Sequence, residues 1–378
     1  MRTKNTILLT IILLLTAGTV FSQKLPAKKE IMNKMVLANA YFMNKWPDTG
    51  KTVITNKERQ SNIWTRAVYY EGLMALYSVN PDKSYSDYAI SWGEAHKWGL
   101  NGGLKTRNAD NHCCGQTYLD LYQKEKKPEM MKDLKESIDM MLATDKIDDW
   151  TWIDALQMAM PVFAKLGVIT GDKKYSERMY EMYMDSKVRQ GFYNPADKLW
   201  WRDKDFRPPY KEPNGEDCYW SRGNGWVVAS LVRVMEIAPN DPHYKEYKKM
   251  YLEMMKALLP IQRADGFWNA SLHDATNFGG KETSGTALFV YGMAWGVNKG
   301  LLKEKKYLPA ITKAWNAMAT EAVHADGFMG YLQGTGKQPS DGQPVTYTSK
   351  PDFEDYGLGC FLLAGSEVYK LKSLEKGQ

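Results

Sequence analysis

What most restricts the fold is a paired helical unit that recurs along the whole 378-residue chain. Each pair opens on an apolar helix signal rich in Gly, Ala and Ser, passes through a short turn of Pro, Gly, Asp or Lys, and continues in an amphipathic helix. The opening members are RAVYYEGLMALYSV, CCGQTYLDLYQK, WIDALQMAMPVFAKLGVI, GNGWVVASLVRVMEI, SGTALFVYGMAWGVNKGLL and DYGLGCFLLAGSEVYKL. The second members begin near Tyr85, Glu129, Tyr175, Tyr244 and Tyr307, and an unpaired helix runs from about Lys28 to Lys45. Apolar residues surround most faces of the first type, which suits an inner position, and form one stripe on the second, which suits a covering role. About twelve alternating helices that use both ends of the chain predict an all-α fold, an (α/α)6 barrel, with residues 23–378 as one domain. A stacked α-solenoid shares the paired signature and is the competing architecture.

Connection lengths separate the two ends of such a barrel. The inner-to-outer turns NPDK, TGDKK and PNDP are short. The outer-to-inner connections are long, at about Lys45–Trp64, Lys97–His112, Val188–Trp220, Arg263–Glu282 and Asp326–Asp355. Long connections in a compact domain usually carry function, and these all gather where inner helices begin. Three of them contain Gly followed by aromatics and a turn residue, from Gly191, Asp265 and Asp326, which predicts short hairpins around a cleft. Helix N-termini at that mouth favour an anion.

Composition narrows the function. The formal charge of +6 is spread along the chain and forms no nucleic-acid-binding tail, while it suits an anionic small substrate. The 13 Trp and 23 Tyr exceed what packing alone asks for. Residues 1–22 read as a signal peptide: Arg2 and Lys4, an apolar run from Ile7 to Leu15, then small residues ending at Ser22. This predicts export to the periplasm or beyond, with no integral membrane segment in the mature chain. In that compartment Cys113, Cys114, Cys218 and Cys360 could pair, or stay as buried thiols. No Gly-rich phosphate loop, GxSxG, HExxH or CxxC occurs, and the five histidines show no metal-ligand spacing, so neither metal nor cofactor is expected.

Polar residues fall at the expected mouth. Asp110 and His112 precede the second inner helix; Trp152 and Asp154 open the third; Trp220, Arg222, Asn224 and Trp226 open the fourth; Glu282, Ser284 and Thr286 open the fifth. Acidic and hydroxyl residues in a first turn are common helix caps, which is the plainer reading of Glu282, Thr283 and Asp355. Asp154, between Ile153 and Ala155 in a Trp-rich apolar helix, is where burial would raise a carboxyl pKa and keep an acid protonated near neutrality. Arg222 between two tryptophans could clamp a carboxylate or neutralise Asp110 or Asp154.

Taken in order, WIDALQMAMP, SRGNGW, ETSGTA and DYGLGCFLLAGSE resemble the unsaturated glycuronyl hydrolases, glycoside hydrolase families 105 and 88, and look closest to the unsaturated rhamnogalacturonyl hydrolases of family 105. The resemblance spans the mature chain and implies the (α/α)6 barrel. It implies further that Asp154 is the general acid/base, that Asp110 supports it, and that Arg222 and Trp226 contact the uronyl carboxylate and ring. Trp220, Asn224, Trp152, His112, Ser284 and Thr286 complete the expected substrate-binding set. The implied substrate is an anionic oligosaccharide ending in a 4,5-unsaturated uronic acid. The implied reaction hydrates its C4=C5 vinyl ether.

Galacturonyl-rhamnose products of rhamnogalacturonan are the first choice of substrate and glucuronyl products of other acidic glycans the second, with Trp200, Trp201, Arg202 and Lys337 as candidates for setting the second-sugar site. Two other functions fit the same barrel. A sugar 2-epimerase would want two histidines in the cleft, where only His112 is placed. A non-catalytic glycan-binding protein would use the aromatic mouth and leave Asp154 structural.

Overall fold

The computed structural model describes residues 24–372, so the expected leader over 1–22 lies outside the described residues. Thirteen α-helices carry the fold in this span. The inner helices are α2 (Trp64–Val79), α5 (Gly115–Glu125), α7 (Asp154–Thr170), α9 (Ser221–Ile237), α11 (Thr283–Asn298) and α13 (Asp355–Tyr369). The outer ones are α1 (Lys28–Lys45), α3 (Lys83–Ala95), α6 (Glu129–Leu142), α8 (Lys174–Met184), α10 (Tyr244–Leu258) and α12 (Glu304–Ala317). A single turn, α4 (Ala109–His112), precedes α5.

Each inner helix packs on the next, and α13 returns to pack on α2, so the ring closes. The fold is an (α/α)6 barrel, and the solenoid is set aside by that closure. The unpaired opening helix, α1, lies on α13 and completes the outer layer. Inner helices are buried nearly all round, as in α9 and α11, because neighbours surround them. On α10 a stripe of Tyr247, Met250, Tyr251, Met254, Met255 and Leu258 is buried, while Lys245, Lys249 and Lys256 are exposed.

Small residues set the closing seam. A Cβ on Gly72 would lie 2.4 Å from the Gly359 carbonyl oxygen, and one on Gly359 would lie 2.2 Å from that of Val68. Thus α2 and α13 touch backbone to backbone. At the mouth end of this seam Arg66 Nε donates to Asp355 Oδ2 at 3.1 Å. Asp355, the first residue of α13 and not its N-cap, therefore bridges the first and last inner helices, with its Oδ1 accepting from the Tyr356 N–H at 3.0 Å.

One expected hairpin forms fully: β3 (Tyr193–Asn194) pairs antiparallel with β4 (Leu199–Trp200). The segments from Asp265 and Asp326 make only isolated bridges, Trp268 with Glu282, Ser271 with Trp220, and Val323 with Met329. A hairpin that the sequence reading missed, β1 (Val53–Ile54) with β2 (Glu58–Arg59), lies before α2. All four cysteines are buried and unbridged. No helix among the described residues is long and apolar enough to cross a membrane.

Candidate active site

The loops at the N-terminal ends of the inner helices frame a cavity of about 170 Å³ lined by Trp64, Asp110, Trp152, Asp154, Arg202 and Thr335, with Met158 and Gly336 completing its wall. Asp154 and Trp64 are the first residues of α7 and α2, so both side chains reach the mouth from the barrel rim. Asp110 stands in the turn α4, whose start Asn108 caps by accepting from the Asp110 N–H at 2.8 Å. Two carboxyls, two indoles and one guanidinium thus face one small space.

Arg202 reaches Asp154 because the hairpin is tied to the start of α7. The Ile153 N–H donates to the Arg202 carbonyl at 2.9 Å, and Trp152 bridges to Asp203. Arg202 Nε then donates to Asp154 Oδ2 at 3.2 Å and Nη1 to Asp203 Oδ2 at 2.7 Å. Behind the hairpin, buried Asn224 accepts from the Trp200 N–H at 2.9 Å and donates to the Trp200 carbonyl at 3.0 Å. Its amide replaces a strand partner for Trp200.

The opposite wall is a loop anchored by Arg222. Its Nη1 donates to the Gln333 carbonyl at 3.1 Å and its Nη2 to the Gly334 carbonyl at 2.7 Å. The guanidinium lies between the rings of Trp220 (4.4 Å) and Tyr356 (5.0 Å). Trp220 Nε1 donates to Gln333 Oε1 at 2.9 Å, and the Tyr356 hydroxyl donates to the Gln333 carbonyl. Residues 333 and 334, held this way, present Thr335 and Gly336 to the cavity.

Burial pushes the Asp110 carboxyl up to about 7, and the Asp154 charge adds to this while Arg202 opposes it. Asp154 is also raised by burial, against the pull of Arg202 and then of Arg222. The two acids therefore hold protons at pH values where ordinary carboxyls have lost them, and the Asp154 charge discourages Asp110 from ionising.

The remaining expected site residues lie elsewhere. His112 is fully buried behind the site with Nε2 3.1 Å from Ser137 Oγ of α6, and burial pushes its pKa down to about 4. It is a neutral core residue, away from the cavity wall. Arg222 is 1% exposed and engaged as a loop anchor, with no free face toward the cavity. Trp226 is buried behind Trp64, edge-on at 6.3 Å. Ser284 donates to Glu282 Oε1 at 2.6 Å inside the cap of α11, and Thr286 accepts from the Trp268 N–H at 3.0 Å. These residues build the wall one layer back, because first-turn positions facing a neighbouring inner helix are covered by it. Trp64, Met158, Thr335 and Gly336 line the cavity without having been expected to, and Arg202, expected at the second-sugar site, lines it beside Asp154. Trp64 shares with Asp154 the first position of an inner helix, a signal the sequence contains. For Thr335, in an irregular loop, no pattern marks it.

The sequence pattern of Glycosyl Hydrolase Family 88 matches residues 34–372. The chain belongs to this family. A relative in Formosa agariphila, an unsaturated 3S-rhamnoglycuronyl hydrolase, is 30% identical over 390 residues, covering 98% of this chain and 100% of that one. Among solved structures, a family 88 glycosyl hydrolase from Bacteroides vulgatus superposes with a TM-score of 0.83 at 31% identity, covering 91% of this chain and 99% of that one. A structure described as a polysaccharide lyase gives 0.82 at 32%, covering 92% and 98%. The chain is a glycosidase built on an (α/α)6 barrel.

Proposed function

We propose that this family 88 enzyme removes a 4,5-unsaturated uronic acid from the non-reducing end of oligosaccharides that a lyase has released. The observation that carries the reading is the pair Asp110 and Asp154, both raised in pKa, facing one cavity with Arg202 on Asp154. Before substrate arrives, Arg202 favours ionised Asp154 and burial keeps the proton on Asp110. A uronate carboxylate arriving at Arg202 competes for that guanidinium and releases Asp154 to hold the proton.

Asp154 then gives the proton to C4 of the vinyl ether, and positive charge develops at C5 and the ring oxygen. Water adds at C5 and returns its proton to the Asp154 carboxylate. The product is a hemiketal, which opens to a C5 ketone and leaves C1 as a hemiacetal that expels the next sugar. Because C4 is protonated and not the glycosidic oxygen, the carboxyl separation does not set the stereochemical course. Asp110 holds ring hydroxyls, and Trp64 and Trp152 offer faces for the sugar ring. The name of the Formosa relative supports rhamnose as the expelled sugar. The first 22 residues support export. No histidine lines the cavity, which weighs against the 2-epimerase.

The likeness to a polysaccharide lyase favours one other reading, β-elimination from a saturated uronide. The two are opposite in sign by ultraviolet absorbance of the conjugated C4=C5 bond. With unsaturated galacturonyl-rhamnose, wild type should consume the band and Asp154→Asn should not. Consumption of no unsaturated uronide, or appearance of the band from a saturated polymer, overturns the hydrolase.

A further inference from the structure

On the outer wall, away from the cavity, a groove of about 740 Å³ runs between α10 and the start of α12. One face carries Lys245, Lys248, Lys249 and Lys256, which recur at helical spacing along about 16 Å of α10. The facing side carries Lys303 and Lys306, and Lys198 comes from the turn of the β3–β4 hairpin. Seven lysines meet a single carboxylate, Glu253, so this groove holds a charge excess as large as the whole chain's +6. Glu253 is itself engaged, accepting from the Tyr193 hydroxyl at 2.7 Å.

Among the described residues none of these seven lysines takes part in an ion pair, whereas Lys187, Lys281 and Lys299 elsewhere on the surface each reach a carboxylate. Lys245 and Lys249 are four residues apart on one face of α10, an arrangement that destabilises a helix through like-charge repulsion. Folding therefore gives no reason for the cluster. The floor between the charges is apolar, made by Leu252, Leu301, Leu302 and Tyr307.

We propose that this groove is a second, non-catalytic carbohydrate site that binds the anionic chain of an acidic polysaccharide. The lysines meet its carboxylate or sulfate groups, and the apolar floor meets the sugar faces. The choice of a glycan rests in part on the proposed substrate and in part on shape. The apolar floor between the charges matches the faces of sugar rings, which the headgroup layer of a lipid surface or the phosphate rail of a duplex does not present. Flexible lysines suit anionic groups at variable spacing, where bidentate arginine would demand one geometry. Bound there, the enzyme stays on the polymer from which its unsaturated fragments are released.

The test is gel retardation of the whole protein by sodium polygalacturonate, with neutral pullulan, duplex DNA and phosphatidylserine vesicles as the other probes. Wild type should be retarded by polygalacturonate and not by pullulan, and less so as salt rises. The variant Lys245→Ser/Lys249→Ser/Lys256→Ser should bind polygalacturonate at least about tenfold more weakly. Its hydrolysis of an unsaturated disaccharide should remain at the wild-type rate, which also reports that it is folded. A second variant, Lys303→Ser/Lys306→Ser, should weaken binding through the facing side. Wild type that ignores polygalacturonate, prefers DNA or vesicles, or binds equally after both changes overturns the proposal. Retardation does not depend on turnover, so a failure of the hydrolase reading is recognised separately.

Discussion

Arg202 Nε stands 3.2 Å from Asp154 Oδ2, and this contact couples the β3–β4 hairpin to the first turn of α7. Arg202 also lowers the proton affinity of Asp110, so one guanidinium tunes both acids. Replacing it by Gln removes that opposition, and both carboxyls rise. The alkaline limb of kcat/KM should therefore move to higher pH. The plateau should fall about 10- to 100-fold, as expected for losing one charge-assisted contact to a uronate. An unchanged limb with a lower plateau would mean that Arg202 touches substrate without tuning the pair.

Asp110 makes stability depend on pH in a definite direction. Its folded pKa of about 7 lies above the ordinary carboxyl value, so the folded state keeps a proton that the unfolded chain releases. Its favourable contribution is complete below about pH 4 and is lost as pH rises toward about 7. The Asp110→Asn variant should thus be more stable than wild type at about pH 8, by about 1–2 kcal/mol or more, and indistinguishable at about pH 4. Denaturant unfolding at both pH values measures this. The same variant should lose most of its activity, which separates a functional cost from a folding one.

Asn224 links the frame to the chemistry. Its side chain satisfies both backbone groups of buried Trp200, two residues before Arg202. Asn224→Leu leaves that N–H and carbonyl without partners, a loss of about 1–3 kcal/mol each if water does not enter. The midpoint of thermal unfolding should drop, and kcat should drop with it because Arg202 is no longer held on Asp154. A destabilised variant with full kcat would show that the hairpin is placed by other contacts.

The barrel was legible because its signals are local and repeated. Small-residue helices alternate with striped ones, and α1 had only one place left to go. Asp154 stood out in the sequence as a carboxyl in an apolar, Trp-rich helix start, and Asp110 through its place before the second inner helix and the family resemblance. Arg222, His112 and Ser284 share the same first-turn placement, yet each points into a neighbouring helix or loop, and sequence position carries no information on that rotation. The lysine face of α10 is visible in the sequence as KEYKKMYLEMMK, but its significance depends on Lys303 and Lys306 standing opposite. Contacts across about fifty residues of sequence, such as Arg202 on Asp154, need the folded loops to be seen.

Arg222 tests whether an anchor can act through a loop and through charge at once. It spans the Gln333 and Gly334 carbonyls with two nitrogens and also opposes the rise in Asp154 pKa. Lysine keeps the charge but cannot span both carbonyls with a planar fork. Arg222→Lys should therefore loosen the Thr335–Gly336 wall and raise KM about tenfold or more, with the pH limb in place. Arg222→Met should raise KM similarly and, having lost the charge, also shift the alkaline limb upward. If both variants gave the same limb, the charge of Arg222 would not reach the acid pair. If neither changed KM, the loop it holds would not shape the substrate site.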